Sequence, residues 1–194
     1  MPIDVIALVE AAGYLGLFAI VFVESGLFFG FFFPGDSLLF TAGVLASHGL
    51  LSFPAVVAVT FTAAILGVSV GYAFGKKVGP AIFKKHDSFF FHKDHLERTR
   101  IFYQEHGPKT IVLARFLPII RTFAPIFAGI GKMHYRTFFF YNIVGGALWT
   151  VGLTGAGYYL GSVIPDIDRY HIPIILGIII VSLIPALREF AKSR

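Results

Sequence analysis

Long apolar runs broken by short polar or Pro-Gly interruptions dominate the chain. Residues 11–33 are apolar except for Glu24 and Ser25, then Phe33-Pro34-Gly35-Asp36-Ser37 intervenes, and a second apolar run reaches Ala46. A Pro-Gly break inside a hydrophobic stretch excludes one straight helix. The arms are about 13–20 residues each, short for a bilayer crossing. The pattern predicts a re-entrant hairpin or broken helix, which membrane depth tolerates only where protein shields it or it lines a watery cavity. Residues 53–75 read as a spanning helix, with Gly67, Gly71 and Gly75 forming a small-residue face for close helix approach. Residues 76–108 mix basic, acidic and His residues with Phe89, Phe90, Phe91, Leu96, Phe102 and Tyr103, which suits an amphipathic helix lying in the interface. Residues 109–130 repeat the hairpin theme with Pro118 and Pro125 as breaks. Residues 137–162 and 172–190 read as two further spans, the last with Pro173 and Pro185 near its ends.

The expected fold is therefore an all-α membrane protein forming one domain, residues 1–194. It divides into a half-repeat at 11–80, an amphipathic linker at 81–106, a second half-repeat at 107–165 and a C-terminal spanning helix at 172–190. Two re-entrant hairpins and about three spanning helices make up the membrane part. The repeat rests on spacing. Gly16 precedes Glu24 by eight residues and Pro34 follows it by ten; Gly107 and Pro125 stand at the same distances from Arg115. With one gap, Gly71-Tyr72 and Gly75 match Gly157-Tyr158 and Gly161. Tyr72 and Tyr158 suit interface anchors. Opposed halves would make this an inverted repeat, the architecture of secondary transporters with the site near the midplane. The glycine face suits either its own bundle or a homo-oligomer.

Composition agrees with lipid. Hydrophobic residues make up 56% and charged residues 14% of the chain, against about 25% charged in a soluble domain. The net charge of +5 could suggest nucleic acid, but its distribution argues against that partner. No Lys or Arg precedes Lys76, and eight of the sixteen fall between Lys76 and Lys109. Clusters just outside apolar segments are the positive-inside signature. They place residues 76–109 and the C-terminus in the cytoplasm of a multi-pass inner-membrane protein, with Asp166 and Asp168 outside. Met1 to Glu10 lacks a basic region, so no cleavable signal peptide is expected.

Charge within the apolar segments is the chemical signal. Glu24, Asp36, Arg115 and Arg121 each cost roughly 2.5–3.5 kcal/mol on insertion scales if placed in hydrocarbon. A structural reading pairs Glu24 with Arg115 and Asp36 with Arg121. Buried pairs often stabilise no better than apolar residues would, which favours a working site. In the functional reading, Arg115 and Arg121 hold a phosphate through their planar donors. Pro118 between them bends both toward one cavity. Glu24 and Asp36 exchange protons as the anion competes for the arginines. Pro34, Gly35, Pro118 and Pro125 shape the hairpins. Asn142 bonds a freed hairpin carbonyl or a neighbouring helix, and Trp149 is a cavity wall or an ordinary core aromatic. His86, His92, His95 and His106 match no dense metal motif. No nucleophile elbow, zinc-protease motif or phosphate loop occurs, so neither an enzyme nor a cofactor is expected. The absence of cysteine removes disulfides and thiolate metal sites.

Together these motifs resemble the DedA family, the bacterial branch of the SNARE-associated Golgi protein (VTT-domain) group. The resemblance lies in Glu24 with Phe33-Pro34-Gly35-Asp36, in Gly67, Gly71-Tyr72, Gly75-Lys76 and Gly79, and in Arg115-Phe116-Leu117-Pro118, Arg121, Ala124-Pro125 and Ala128-Gly129. Met133, Phe138, Asn142, Gly145 and Trp149 continue it, over residues 10–165 in all. Lys76 departs from the arginine frequent there. The resemblance implies two re-entrant hairpins in inverted repeat, a role in membrane homeostasis and dependence on the proton motive force. It implies, for some members, transport of polyprenyl phosphate carriers such as undecaprenyl phosphate, and, for eukaryotic relatives, phospholipid scrambling. By motif position it assigns the membrane acids to Glu24 and Asp36 and the essential arginines to Arg115 and Arg121. A transporter of a small soluble ion remains the alternative that the residues alone allow.

Overall fold

A computed structural model describes residues 5–27, 34–82 and 107–163. Among these the fold is all-helical. Helix α1 covers Val5–Gly26, α2 Gly35–Ser47, α3 Phe53–Ile82, α4 Lys109–Ala114, α5 Pro118–Ile130 and α6 Tyr135–Val163. The interfacial linker and the C-terminal span predicted from the sequence, together with His86, His92, His95 and His106, lie outside the described residues.

Among the described residues two helices are long and apolar enough to cross a membrane, at Phe53–Val78 and Tyr135–Val163. They match the spans expected at 53–75 and 137–162. The other elements are short. Gly13 adopts φ +55°, outside the helical region, and divides α1 so that its apolar part is Gly13–Gly26. At 1.5 Å per residue that arm, α2 and α5 are each roughly 20 Å long, less than the hydrocarbon core.

The punctuation behaves largely as read. Pro34 stands at the N-cap of α2, and Pro118 opens α5 after Leu117 takes an extended conformation. Pro125 is a correction: it lies inside α5 and does not end it. A proline there forfeits one backbone hydrogen bond. The neighbouring helix holds the segment in place, because the Pro125 ring packs 3.5 Å from the position a Gly71 Cβ would take.

Glycines bring the helices into backbone contact. The stripe on α3 faces the chain's own bundle. A Cβ on Gly67 would meet Phe22 O at 2.6 Å, and one on Gly75 would meet Ile126 O at 2.1 Å. Gly129 of α5 answers, its Cβ position lying 2.2 Å from Tyr72 O and 2.7 Å from Lys76 N. The pairing of α2 with α6 repeats this arrangement. A Cβ on Gly157 would meet Phe40 O at 2.1 Å, and one on Gly43 would meet Thr154 O at 2.2 Å and Tyr158 N at 2.9 Å. Both pairs run parallel. The packing thus equates Gly75 with Gly157 and Gly129 with Gly43, one turn away from the match read in the sequence.

Helices α2 and α5 begin near the middle of the bundle and run to opposite ends. One end gathers Ser47 against Gly161, and the Tyr14 hydroxyl accepting from Ser52 N at 2.9 Å. The other gathers Lys76 and the α5–α6 turn, where the Tyr72 hydroxyl donates to Met133 O at 2.5 Å. Tyr158 is partly exposed, its ring 4.9 Å from that of Phe53. One buried cluster joins Leu17, Val21, Leu38, Leu39 and Trp149; a second joins Val68, Tyr72, Ile111, Ala128 and Phe138. Outward faces carry Leu66, Val70, Phe74, Phe140, Leu148 and Tyr159, an apolar surface too extensive for water.

Candidate functional site

The Pro34–Gly35 break creates the first half of the site. Glu24 lies in the last turn of α1, Asp36 in the first turn of α2. Glu24 is completely buried, and its Oε2 lies only 1.4 Å from where a Gly35 Cβ would stand. Close approach therefore demands glycine at that position. It seats the carboxyl against the start of α2, where a helix favours negative charge.

Arg121 comes from the opposed short helix. Its Nη2 donates to Glu24 Oε1, and its Nη1 donates to Asp36 Oδ1 at 2.8 Å. The same Asp36 oxygen accepts from Trp149 Nε1 at 2.8 Å. The guanidinium also lies 4.9 Å from the Trp149 ring centroid, within cation–π range. Four helices, α1, α2, α5 and α6, thus meet at one cluster. Trp149 is the midpoint of α6, roughly 20 Å from either end of that helix.

Arg115 belongs to a separate cluster. The expected pairing of Glu24 with Arg115 is not formed; Arg121 takes both acids. The local backbone explains the division. Arg115, Phe116 and Leu117 donate in turn to Val112, Leu113 and Ala114, tightening the end of α4 before Pro118 starts a new helix. Arg115 therefore closes one helix while Arg121 rides the next, and Pro118 separates the two rather than converging them on one partner. Arg115 Nη2 donates to Asn142 Oδ1. Asn142 Nδ2 in turn donates to Ile65 O at 3.2 Å and reaches Ser69 Oγ at 3.4 Å, so it bonds a neighbouring helix rather than a hairpin carbonyl. Gly145 makes room, since a Cβ there would stand 2.9 Å from Arg115 Cδ.

The two arginines are equally buried but unequally satisfied. Arg115 is 3% exposed, yet among the described residues its Nε and Nη1 have no acceptor. A buried guanidinium with one neutral acceptor is costly to maintain. Its open donors match an anion with several acceptor oxygens.

Sequence reasoning located Glu24, Asp36, Arg115, Arg121, Pro34, Pro118, Asn142 and Trp149 at or beside these clusters. It missed Trp149 as a donor to Asp36 and Asn142 as the partner of Arg115. It also missed that Gly35 is set by the volume of Glu24. Nothing local marks the Asn142 and Trp149 bonds, which join residues 27 and 113 positions apart. Pro125 stands apart from both clusters, in the α3–α5 contact.

A family model described as the VTT domain matches residues 33–159. An uncharacterized membrane protein of Mycobacterium leprae is 46% identical over 168 residues, covering 87% of this chain and 75% of its own. Protein DedA of Escherichia coli K12 is 44% identical over 183 residues, covering 93% and 83%. Inner membrane protein YqjA of Escherichia coli K12 is 34% identical over 149 residues, covering 77% and 68%. No solved structure matches significantly. A match of this length, together with relatives of this identity over most of the chain, makes the protein a member of the DedA family of VTT-domain membrane proteins.

Proposed function

We propose that the protein is a transporter, not an enzyme, that moves a lipid-linked phosphate such as undecaprenyl phosphate across the inner membrane in exchange for protons. The observation that carries this reading is Arg115, buried with two donor nitrogens lacking acceptors among the described residues. A phosphate oxygen pair satisfies such a planar donor. The sequence reading treated the two arginines alike; here Arg115 is the anion donor, while Arg121 is already committed to Glu24 and Asp36.

The acid cluster supports proton coupling. Two carboxylates share one guanidinium, so the fully ionised cluster carries one excess negative charge. In a low-dielectric interior a proton compensates that charge at lower cost than an uncompensated carboxylate.

We read α1 with α2 and α4 with α5 as re-entrant hairpins of an inverted repeat. Their short apolar arms and the reciprocal glycine contacts of α3 with α5 and α2 with α6 support this. The face bearing Lys76 and Lys132 is then cytoplasmic.

The test is reconstitution of the purified protein with labelled undecaprenyl phosphate under an imposed pH gradient. The expected result is flipping that follows the gradient and is lost in Arg115→Gln. Flipping indifferent to the gradient identifies an uncoupled scramblase, and uptake of a soluble tracer without lipid movement identifies a small-ion carrier. Wild-type protein that flips no lipid overturns the reading.

A further inference from the structure

Segments distant in sequence converge on one end of the molecule. Helix α3 brings the exposed Lys76 and Lys77, the α5–α6 turn brings the exposed Lys132 and His134, and the first turn of α6 brings the exposed Arg136. Gly129 packs on the backbone of Tyr72 and Lys76, which sets these segments side by side. Lys109 opens α4, whose Ile111 joins the buried cluster of Tyr72 and Phe138 beneath the same face. Among the described residues with placed side chains no carboxylate lies here; Glu24 and Asp36 are occupied near the bundle centre. At the opposite end, around Ser47, Ser52 and Gly161, the described residues include no Lys or Arg.

A second observation singles out Lys132. Its backbone lies at φ +56°, the left-handed region that favours glycine, and it is the one described non-glycine residue found there. The adjacent Gly131 takes φ −69° instead. The turn is held by Lys132 N on Gly129 O at 3.1 Å and Met133 N on Ala128 O at 3.0 Å. Packing does not demand a lysine, because Lys132 is exposed. A side chain retained against backbone preference, on an exposed turn, points to a role for that side chain. Aromatic rings lie close by, Tyr72 with Phe138 at 4.4 Å and Tyr135 with Phe139 at 5.6 Å, the residue types that suit a membrane interface.

We propose that this face is a docking surface for the phosphate headgroups of anionic phospholipids, with Lys132 its central contact. The surface lies outside the Arg115 and Arg121 clusters, so the inference stands apart from the transport reading.

The test uses the full chain in mild detergent, offered phosphatidylglycerol or phosphatidylcholine, with retained lipid counted by native mass spectrometry and thermal unfolding read alongside. Wild-type protein should retain phosphatidylglycerol in preference to phosphatidylcholine. Lys132→Gly should lower that retention about fivefold while raising the unfolding temperature. Lys132→Asn, also compatible with a left-handed backbone, should lose retention without unfolding. Adding Lys76→Gln, Lys77→Gln and Arg136→Gln should bring retention down to the phosphatidylcholine level. Wild-type retention in Lys132→Gly or Lys132→Asn, or equal retention of both lipids by the wild type, overturns the proposal. Displacement of the lipid by millimolar inorganic phosphate also overturns it, in favour of a free-phosphate site.

Discussion

Trp149 Nε1 donates to Asp36 Oδ1 at 2.8 Å, tying the midpoint of α6 to the first turn of α2. Trp149 is also the chain's single tryptophan, so its emission reports on this cluster alone. Asp36→Asn should shift the emission maximum, and an unchanged spectrum would place the indole elsewhere. Trp149→Phe keeps the ring and deletes the donor, which should cost about 1–3 kcal/mol in an unfolding measurement.

The two arginines should respond unequally to neutralisation. Arg121→Gln strands the buried Glu24 carboxyl and the half-buried Asp36, and loss of one partner of a buried pair costs about 3–5 kcal/mol. Adding Glu24→Gln should recover part of that loss. Arg115→Gln removes a buried charge that no acid matches, so its cost should be smaller, confined largely to the orphaned Asn142 oxygen. Thermal unfolding of the purified variants decides this, and equal destabilisation would contradict the division between the clusters.

Gly35→Ala should destabilise the protein by displacing the Glu24 carboxyl from Arg121, since its methyl group would overlap Glu24 Oε2. The pairing Gly35→Ala with Glu24→Ala should restore a monodisperse protein on size exclusion, because the obstruction is that one side chain. Failure of the second change to rescue the first would show that Gly35 serves the backbone instead.

Gly43→Ala and Gly129→Ala should destabilise to a similar degree. Each introduces a Cβ 2.2 Å from a carbonyl oxygen, Thr154 O in one case and Tyr72 O in the other. Backbone cannot yield as a flexible side chain can, so losses of about 2–3 kcal/mol are expected for each. A large effect in one variant and none in the other would break the equivalence of the two helix pairs.

Much of this arrangement was legible because lipid makes charge and punctuation conspicuous. Glu24, Asp36, Arg115 and Arg121 stand out in apolar runs, and Pro34 and Pro118 mark helix starts by removing a backbone donor. Pro125 misled because its tolerance depends on a glycine 54 positions earlier, Gly71, which leaves room for the ring. Spacing placed Glu24 and Arg115 at matching positions. It could not reveal that a tightened turn after α4 separates Arg115 from the acids and delivers Arg121 in its place. The glycine match read in the sequence lies one turn from the glycines that make corresponding contacts, because the glycines recur every fourth residue and only contact with the partner helix distinguishes one from the next.

The glycine contacts also define which helices are held together. With backbones touching at Gly75 and Ile126, and again at Gly157 and Phe40, neither pair of helices has slack to slide internally. Helix α1 is locked to α3 in the same manner through Gly26 and Gly67. Glu24 and Arg121 therefore sit on one tightly packed set of helices, and Asp36 and Trp149 on the other. The bond between Arg121 and Asp36 is one of the ties that join the two sets, alongside the Asn142 bond to Ile65.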